Sequence, residues 1–265
     1  MKKNVSRIAK YLAVLIGAVI VILIIKIVLI YKNDQYIKWI PPFGFYVGDV
    51  HDRGPSPQAE IDPPNSALFI HPVYPADPSD GKVLMGAAHN VFAGRVIEQS
   101  GNKETEIGPR TQYQVEVIDN LKGELKGTVV LDMLGGYDKD ARLIMIEEND
   151  PKTFLLQVGT TYLFATRYNE QEKWYTLIAH PNARKIISTD PKASAADLKT
   201  LAESDEKFKK WEVAYPLETL DKADVANNNT KNNFQSLAPE AKATAQASAD
   251  DAKASLDAVK ADSVQ

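Results

Sequence analysis

Residues 111–118 read Thr-Gln-Tyr-Gln-Val-Glu-Val-Ile (TQYQVEVI). Successive side chains of an extended chain point to opposite faces, so Tyr113, Val115 and Val117 share one face and Gln112, Gln114 and Glu116 the other. A sheet with one face to water is implied. Outward from this stretch, similar short runs rich in β-branched and aromatic residues occur at 89–98 (HNVFAGRVIE), 128–133 (TVVLDM), 160–167 (TTYLFATR), 174–179 (WYTLIA) and 184–187 (RKII). RLIMIE at 142–147 reads as a further strand or as an edge excursion inside a long loop. Breakers separate the runs: Gly101, Gly108-Pro109, Gly123, Gly127, Gly135-Gly136, Asn149-Asp150-Pro151 and Asn169-Glu170. With no helix alternating between the strands, a parallel α/β fold is disfavoured, and a mainly β fold is expected, either an antiparallel sandwich or a small closed barrel.

Downstream, Ser194 has the chemistry of a helix N-cap, and Leu198, Leu201, Phe208 and Trp211 follow at helical spacing. The spacing predicts one helix over 195–214 that packs on the sheet and stops at Pro216. Residues 217–265 contain NNNTKNN at 227–233 and an Ala-, Lys- and Asp-rich stretch from Pro239 to Asp262. That stretch lacks a persistent apolar stripe, so a disordered or marginally helical tail is expected.

Upstream, Leu12–Ile30 reads LAVLIGAVIVILIIKIVLI, interrupted only by Lys26. This approaches the roughly 20 apolar residues that cross a bilayer as a helix. Its Leu, Ile and Val residues favour insertion by about 4–9 kcal/mol in sum, more than the ~3 kcal/mol cost of a central lysine. A transmembrane helix over 11–31 is expected, with the lipid bilayer as its partner. Lys2, Lys3, Arg7 and Lys10 precede it, which places residues 1–10 in the cytoplasm and the rest outside. The apolar run is too long for a cleaved signal peptide, and IVLIYKNDQ offers no small-residue cleavage site. Residues 32–80 carry most of the prolines and read as a stiff, irregular stalk. Phe43–Val47 and Ala67–Ile70 are too apolar for a pure spacer and are expected to lie against the domain or the membrane surface.

The domain is therefore expected over 81–216. With 31 basic and 35 acidic residues and a net charge of -4, the chain offers no broad cationic field, which argues against nucleic acid as a partner. The absence of cysteine excludes disulfides, thiolate nucleophiles and cysteine zinc sites. It suits the envelope of a Gram-positive type of bacterium.

Catalytic chemistry finds little support in the sequence. His51, His71, His89 and His180 lie far from one another in sequence and in no zinc pattern; His89 and His180 read as polar rim positions at strand ends. Asp49–Gly54 (DVHDRG) has the acidic and histidine content of metallophosphatase motifs but no downstream partner motif. Asp138–Asp140 and Glu147–Asp150 are acidic clusters without calcium-loop spacing. No serine sits in a nucleophile elbow and no glycine loop matches a phosphate cradle. No catalytic residue, metal ligand or cofactor is assigned, and a non-catalytic protein is expected.

Four stretches resemble the tissue-inhibitor-of-metalloproteinase-like, or netrin-module-like, OB-fold domains of bacterial surface proteins. They are Ala88–Val96 (AHNVFAGRV), Tyr113–Gly123 (YQVEVIDNLKG), Val129–Gly136 (VVLDMLGG) and Val158–Ala165 (VGTTYLFA), with Pro191–Leu201 (PKASAADLKTL) similar to the short helical segment that follows in the family. The resemblance spans residues 83–203 and implies a small antiparallel OB-like barrel with a C-terminal packing helix. It also implies a binding or adaptor role toward an envelope protein or glycan, with 99–110 and 134–157 as long loops offering the contact surfaces. Inhibition through an N-terminal cysteine at a catalytic zinc is ruled out by the missing cysteine. Protease inhibition through loops is the alternative, and a metal-dependent hydrolase using His51 and Asp52 a more distant one.

Overall fold

The computed structural model describes residues 51–52, 68–70, 76–139, 142–146 and 151–263. The strands are β1 (His51–Asp52), β2 (Leu68–Ile70), β3 (Asn90–Thr105), β4 (Gly108–Lys122), β5 (Thr128–Leu134), β6 (Gly136–Tyr137), β7 (Leu143–Ile146), β8 (Thr161–Asn169), β9 (Trp174–Leu177) and β10 (Arg184–Ser188). The α-helices are α1 (Gly81–Ala87), α2 (Pro151–Phe154), α3 (Ala195–Ser204), α4 (Glu206–Ala214), α5 (Lys222–Ala226) and α6 (Pro239–Asp262). The fold is a mixed sheet with helices rather than a mainly β structure.

Alternation in β4 does what its sequence dictates. Tyr113 and Val115 are fully buried while Gln114 and Glu116 are only partly so, but Gln112, expected on the water face, is buried as well and Val117 is only half-buried. β4 pairs antiparallel with β3 on one side and with β5 on the other. β3 in turn pairs antiparallel with β8, β8 with β9, and β9 runs parallel to β5, so pairing returns to its start around five strands. Curvature comes from β3, whose register against β4 shifts at four places, since an extra residue bends a strand and increases its twist. Gly94 sits at one of these shifts; a Cβ there would lie 2.5 Å from a methyl of Val115. Inside the ring Phe92, Tyr113, Leu131 and Phe164 are buried, with the Phe92 and Phe164 rings 5.5 Å apart. Burying each such side chain contributes about 1.5–3 kcal/mol.

The expected loop at 99–110 is mostly strand. β3 continues to Thr105 and β4 begins at Gly108, leaving a two-residue turn. Gly108 at φ +130 and the Thr105 hydroxyl donating to the Gly108 carbonyl at 2.7 Å close it. The region expected as a loop over 134–157 instead holds β6, β7 and α2. β7 pairs antiparallel with β6 and parallel with β2, making a second sheet of three strands. Met145 and Phe154 bury it against the ring. β2 lies in the stretch read as a stalk, and β1 pairs with β3 through His51↔Glu104 and Asp52↔Lys103. The remainder of that stalk up to residue 75, and the segment expected to cross the membrane, lie outside the described residues. Among the described residues no helix is long and apolar enough to cross a membrane.

The helices differ as well. Residues 81–87, to which the sequence reading assigned no element, form α1, whose N-terminus is capped by the Asp80 side chain accepting from the Lys82 amide at 2.9 Å. The single helix over 195–214 is two. Asp205 takes an extended conformation at φ -68 and ψ 135 and caps α4, accepting from the Lys207 and Phe208 amides. Its carboxylate satisfies donors that a continuous helix would have used internally, so the chain breaks there. Leu201, assigned by spacing to the packing face, is 45% exposed, whereas Leu198, Phe208 and Trp211 are buried. Finally, the expected disordered or marginally helical tail contains the 24-residue α6, which rests on α4 with Ala249 and Ala252 buried.

Candidate functional site

One end of the ring is closed by groups that hydrophobic patterning does not reveal. β4 ends on Lys122, which is fully buried. Its ammonium donates to Glu218 Oε2 and to the Met85 carbonyl, both at 2.6 Å, and to Asn233 Oδ1 at 2.8 Å. Arg167 of β8 donates to both Asp224 carboxylate oxygens at 2.6 and 3.0 Å and to the Ala87 carbonyl at 2.6 Å. All three Lys122 donors meet acceptors, the condition under which buried charge is tolerated, whereas Arg167 meets its three acceptors through Nη1 and Nη2 and leaves Nε without a hydrogen bond among the described residues. Burial drives Lys122 down to about 8 and Glu218 upward, so each keeps its charge chiefly because the other is there. Burial also pushes Asp224 upward, but His89 and Arg167 outweigh it and hold the carboxyl below the usual range.

Between these pairs sits His89, read from sequence as a rim position but in fact 9% exposed. Its Nδ1 accepts from the Tyr168 amide at 3.1 Å, which places the neutral ring's proton on Nε2. Nε2 lies 2.9 Å from the Asn229 amide nitrogen and 3.9 Å from Asp224. Burial lowers its pKa in spite of the Asp224 carboxylate. Held at Nδ1 by the β8 backbone, His89 serves as a strut.

The residues that complete this end come from the stretch expected to be a spacer. Asp221 caps α5, accepting from the Ala223 amide at 2.5 Å, and brings Asp224 inward in its first turn. Asn228 at φ +55 turns the chain back, a conformation asparagine tolerates better than most residues. Asn232 Nδ2 then donates to the His89 carbonyl at 2.9 Å, and Asn233 receives Lys122. The asparagine run is thus a row of amides fitted to backbone and buried charge.

Above this floor lies a cleft of about 1070 Å³, bounded by the ring end, the asparagine run and α6. Typical ligand pockets enclose about 300–1,000 Å³. One wall presents Tyr168 and Tyr175 with ring centroids 5.0 Å apart, and the opposite wall is the Ala245 face of α6. Glu124, Glu170 and Lys231 stand among the lining residues. Aromatic faces beside amides and a few charges suit reversible contact with a polar polymer or peptide.

Other positions singled out by sequence do not converge on this cleft. His180 caps the 3-10 turn Pro181–Ala183 by accepting from the Asn182 amide at 3.1 Å. Asp138 accepts from Arg142 Nε at 2.9 Å. His51 and Asp52 are placed only by backbone pairing at the far end of β3, and His71, Asp140 and Glu147–Asp150 lie outside the described residues. Among the described residues no group of three or more His, Asp or Glu is arranged to hold a metal ion. Comparison of the chain with models of known families, with curated proteins and with solved structures returned no match.

Proposed function

We propose that this chain is a non-catalytic binding or adaptor module of the OB type, held on the outer side of a bacterial plasma membrane by residues 11–31. Its partner, an envelope protein or glycan, seats in the cleft between the ring end and α6. The observation that carries the reading is that cleft, which combines ligand-scale volume, a tyrosine pair and a rigid floor of buried ion pairs. The OB assignment is supported by strand order. Numbering the five ring strands along the chain gives 1-2-3-5-4 with one parallel join between the third and fifth, in keeping with a five-stranded Greek-key barrel. The resemblance of 88–96, 113–123 and 158–165 to tissue-inhibitor-of-metalloproteinase-like domains points the same way. The apolar run at 12–30 and the basic residues before it support the anchor and its orientation.

Photo-crosslinking in cells of the full chain tests the site. A diazirine amino acid at Asn228 or Lys231 should yield one discrete adduct that the same probe at Val158 does not. Val158 is 61% exposed and precedes β8 at the ring's other end. Equal adducts from Val158, or none from either cleft position, would refute the assignment.

A further inference from the structure

A second depression, of about 380 Å³, opens between the start of α1, the 3-10 turn at 181–183 and α4. Its lining includes Ser79, Asn182, Lys185, Lys207, Lys210 and Trp211. Three ammonium groups therefore share one cavity, and their partners differ. Lys185 Nζ is 2.5 Å from Asp205, and Lys210 Nζ is 2.6 Å from Glu206, so each of these charges is balanced. Among the described residues Lys207 meets the Arg184 carbonyl at 3.4 Å and the Trp211 ring at 5.3 Å from its centroid, and no carboxylate within salt-bridge distance. Burial and the neighbouring Lys185 push it down to about 8. That depression measures how poorly the pocket, as it stands, accommodates the charge.

We propose that this depression is a binding site for a singly charged oxyanion, a phosphodiester group, held by the Lys207 ammonium with help from the Asn182 amide. Three cations against Asp205 and Glu206 leave one positive charge, which a monoanion neutralises and a dianion overshoots. The Trp211 indole packs along the lysine, fixing its direction at little entropic cost. The volume leaves room for a molecule larger than a bare ion, either soluble or a lipid headgroup.

The test uses the full chain in neutral detergent with 13C-labelled lysine, the Lys207 resonance being assigned through Lys207→Met and checked in Lys207→Arg. Dimethyl phosphate is titrated against sodium chloride of equal ionic strength, and mixed micelles carrying phosphatidylglycerol against micelles carrying phosphatidylcholine. Binding of an anion to the protonated lysine should raise the Lys207 titration midpoint by about one pH unit, tenfold in proton affinity, while the exposed Lys253 stays put. Saturable movement with dimethyl phosphate assigns a soluble source, and movement with phosphatidylglycerol alone assigns a headgroup. Lys207→Arg should retain the dimethyl phosphate perturbation of the Asn182 side-chain amide. If Lys207 moves no more than Lys253 with both probes, the site does not exist.

Discussion

Shortening the chain from its C-terminus should divide the last 48 residues into a dispensable part and an indispensable one. Ending at Ala238 removes α6, whose deepest contributions are the buried methyls of Ala249 and Ala252. At about 0.8 kcal/mol per buried carbon, with some partial contacts added, the loss is about 2 kcal/mol. For a domain of this size that lowers the melting temperature by about 4–8 °C. Ending at Leu217 removes Glu218, Asp224 and Asn233 as well, and leaves the Lys122 and Arg167 cations in the interior without their carboxylates. Stripping one partner from a buried pair costs about 3–5 kcal/mol, and doing so twice consumes most of the ~5–15 kcal/mol that keeps a domain folded. Circular dichroism melts of the two shortened proteins in the same detergent separate the cases. The first should melt cooperatively, and the second should show no folded baseline at room temperature. Should the two melt within a few degrees of each other, the buried pairs are not what holds this end of the ring.

Glu212 is raised to about 7 by burial, with Glu203, Asp119 and Asp251 adding to the effect against Lys209. A folded pKa above the unfolded 4.5 gives stability that is complete below pH 4.5 and is lost as pH rises through 7. Glu212→Gln should therefore narrow the difference between urea midpoints at pH 5 and pH 8, and an unaltered difference would reject that origin. Gly86→Ala should destabilise by about 3 kcal/mol or more in thermal melts, because the added carbon would lie 1.8 Å from the Thr219 carbonyl oxygen, a backbone atom that cannot swing aside. Arg110 and Asp132 form a third buried pair, joining β4 to β5. Arg110→Leu alone should cost about 3–5 kcal/mol by chemical denaturation, and adding Asp132→Leu should recover most of it; a double variant no better than the single one would show that packing dominates.

Hydrophobic alternation carried the reading where side chains alternate between protein and water, as at Tyr113 and Val115, and all six strand runs seen in the sequence fall on observed strands. It faltered where a polar side chain performs an apolar residue's duty. Asn102 and Thr105 are buried in the second half of β3 through bonds to the Tyr137 and Gly108 carbonyls, so a strand passed for a loop. The floor of the cleft was hidden for the same reason. Lys122, Glu218 and Asp224 carry no periodic signal, and their partners are separated by 96 and 57 positions along the chain. NNNTKNN has the composition of a spacer, and only its three-dimensional neighbours, His89 and Lys122, give its amides something to bind. The break at Asp205 is the most legible of these features, since an aspartate followed by Glu206 has the same capping chemistry as Ser194.

The parallel join between β5 and β9 consists of two residue pairs, Leu131↔Tyr175 and Asp132↔Thr176. It is a clasp on an otherwise continuous hoop, and amide exchange with deuterium should begin there. Asp132 is gripped from β4 by Arg110, so charge reinforces what the backbone supplies sparingly. Tyr175 belongs both to the clasp and to the wall facing the asparagine run, and an occupant pressing on that ring would fasten the hoop from outside.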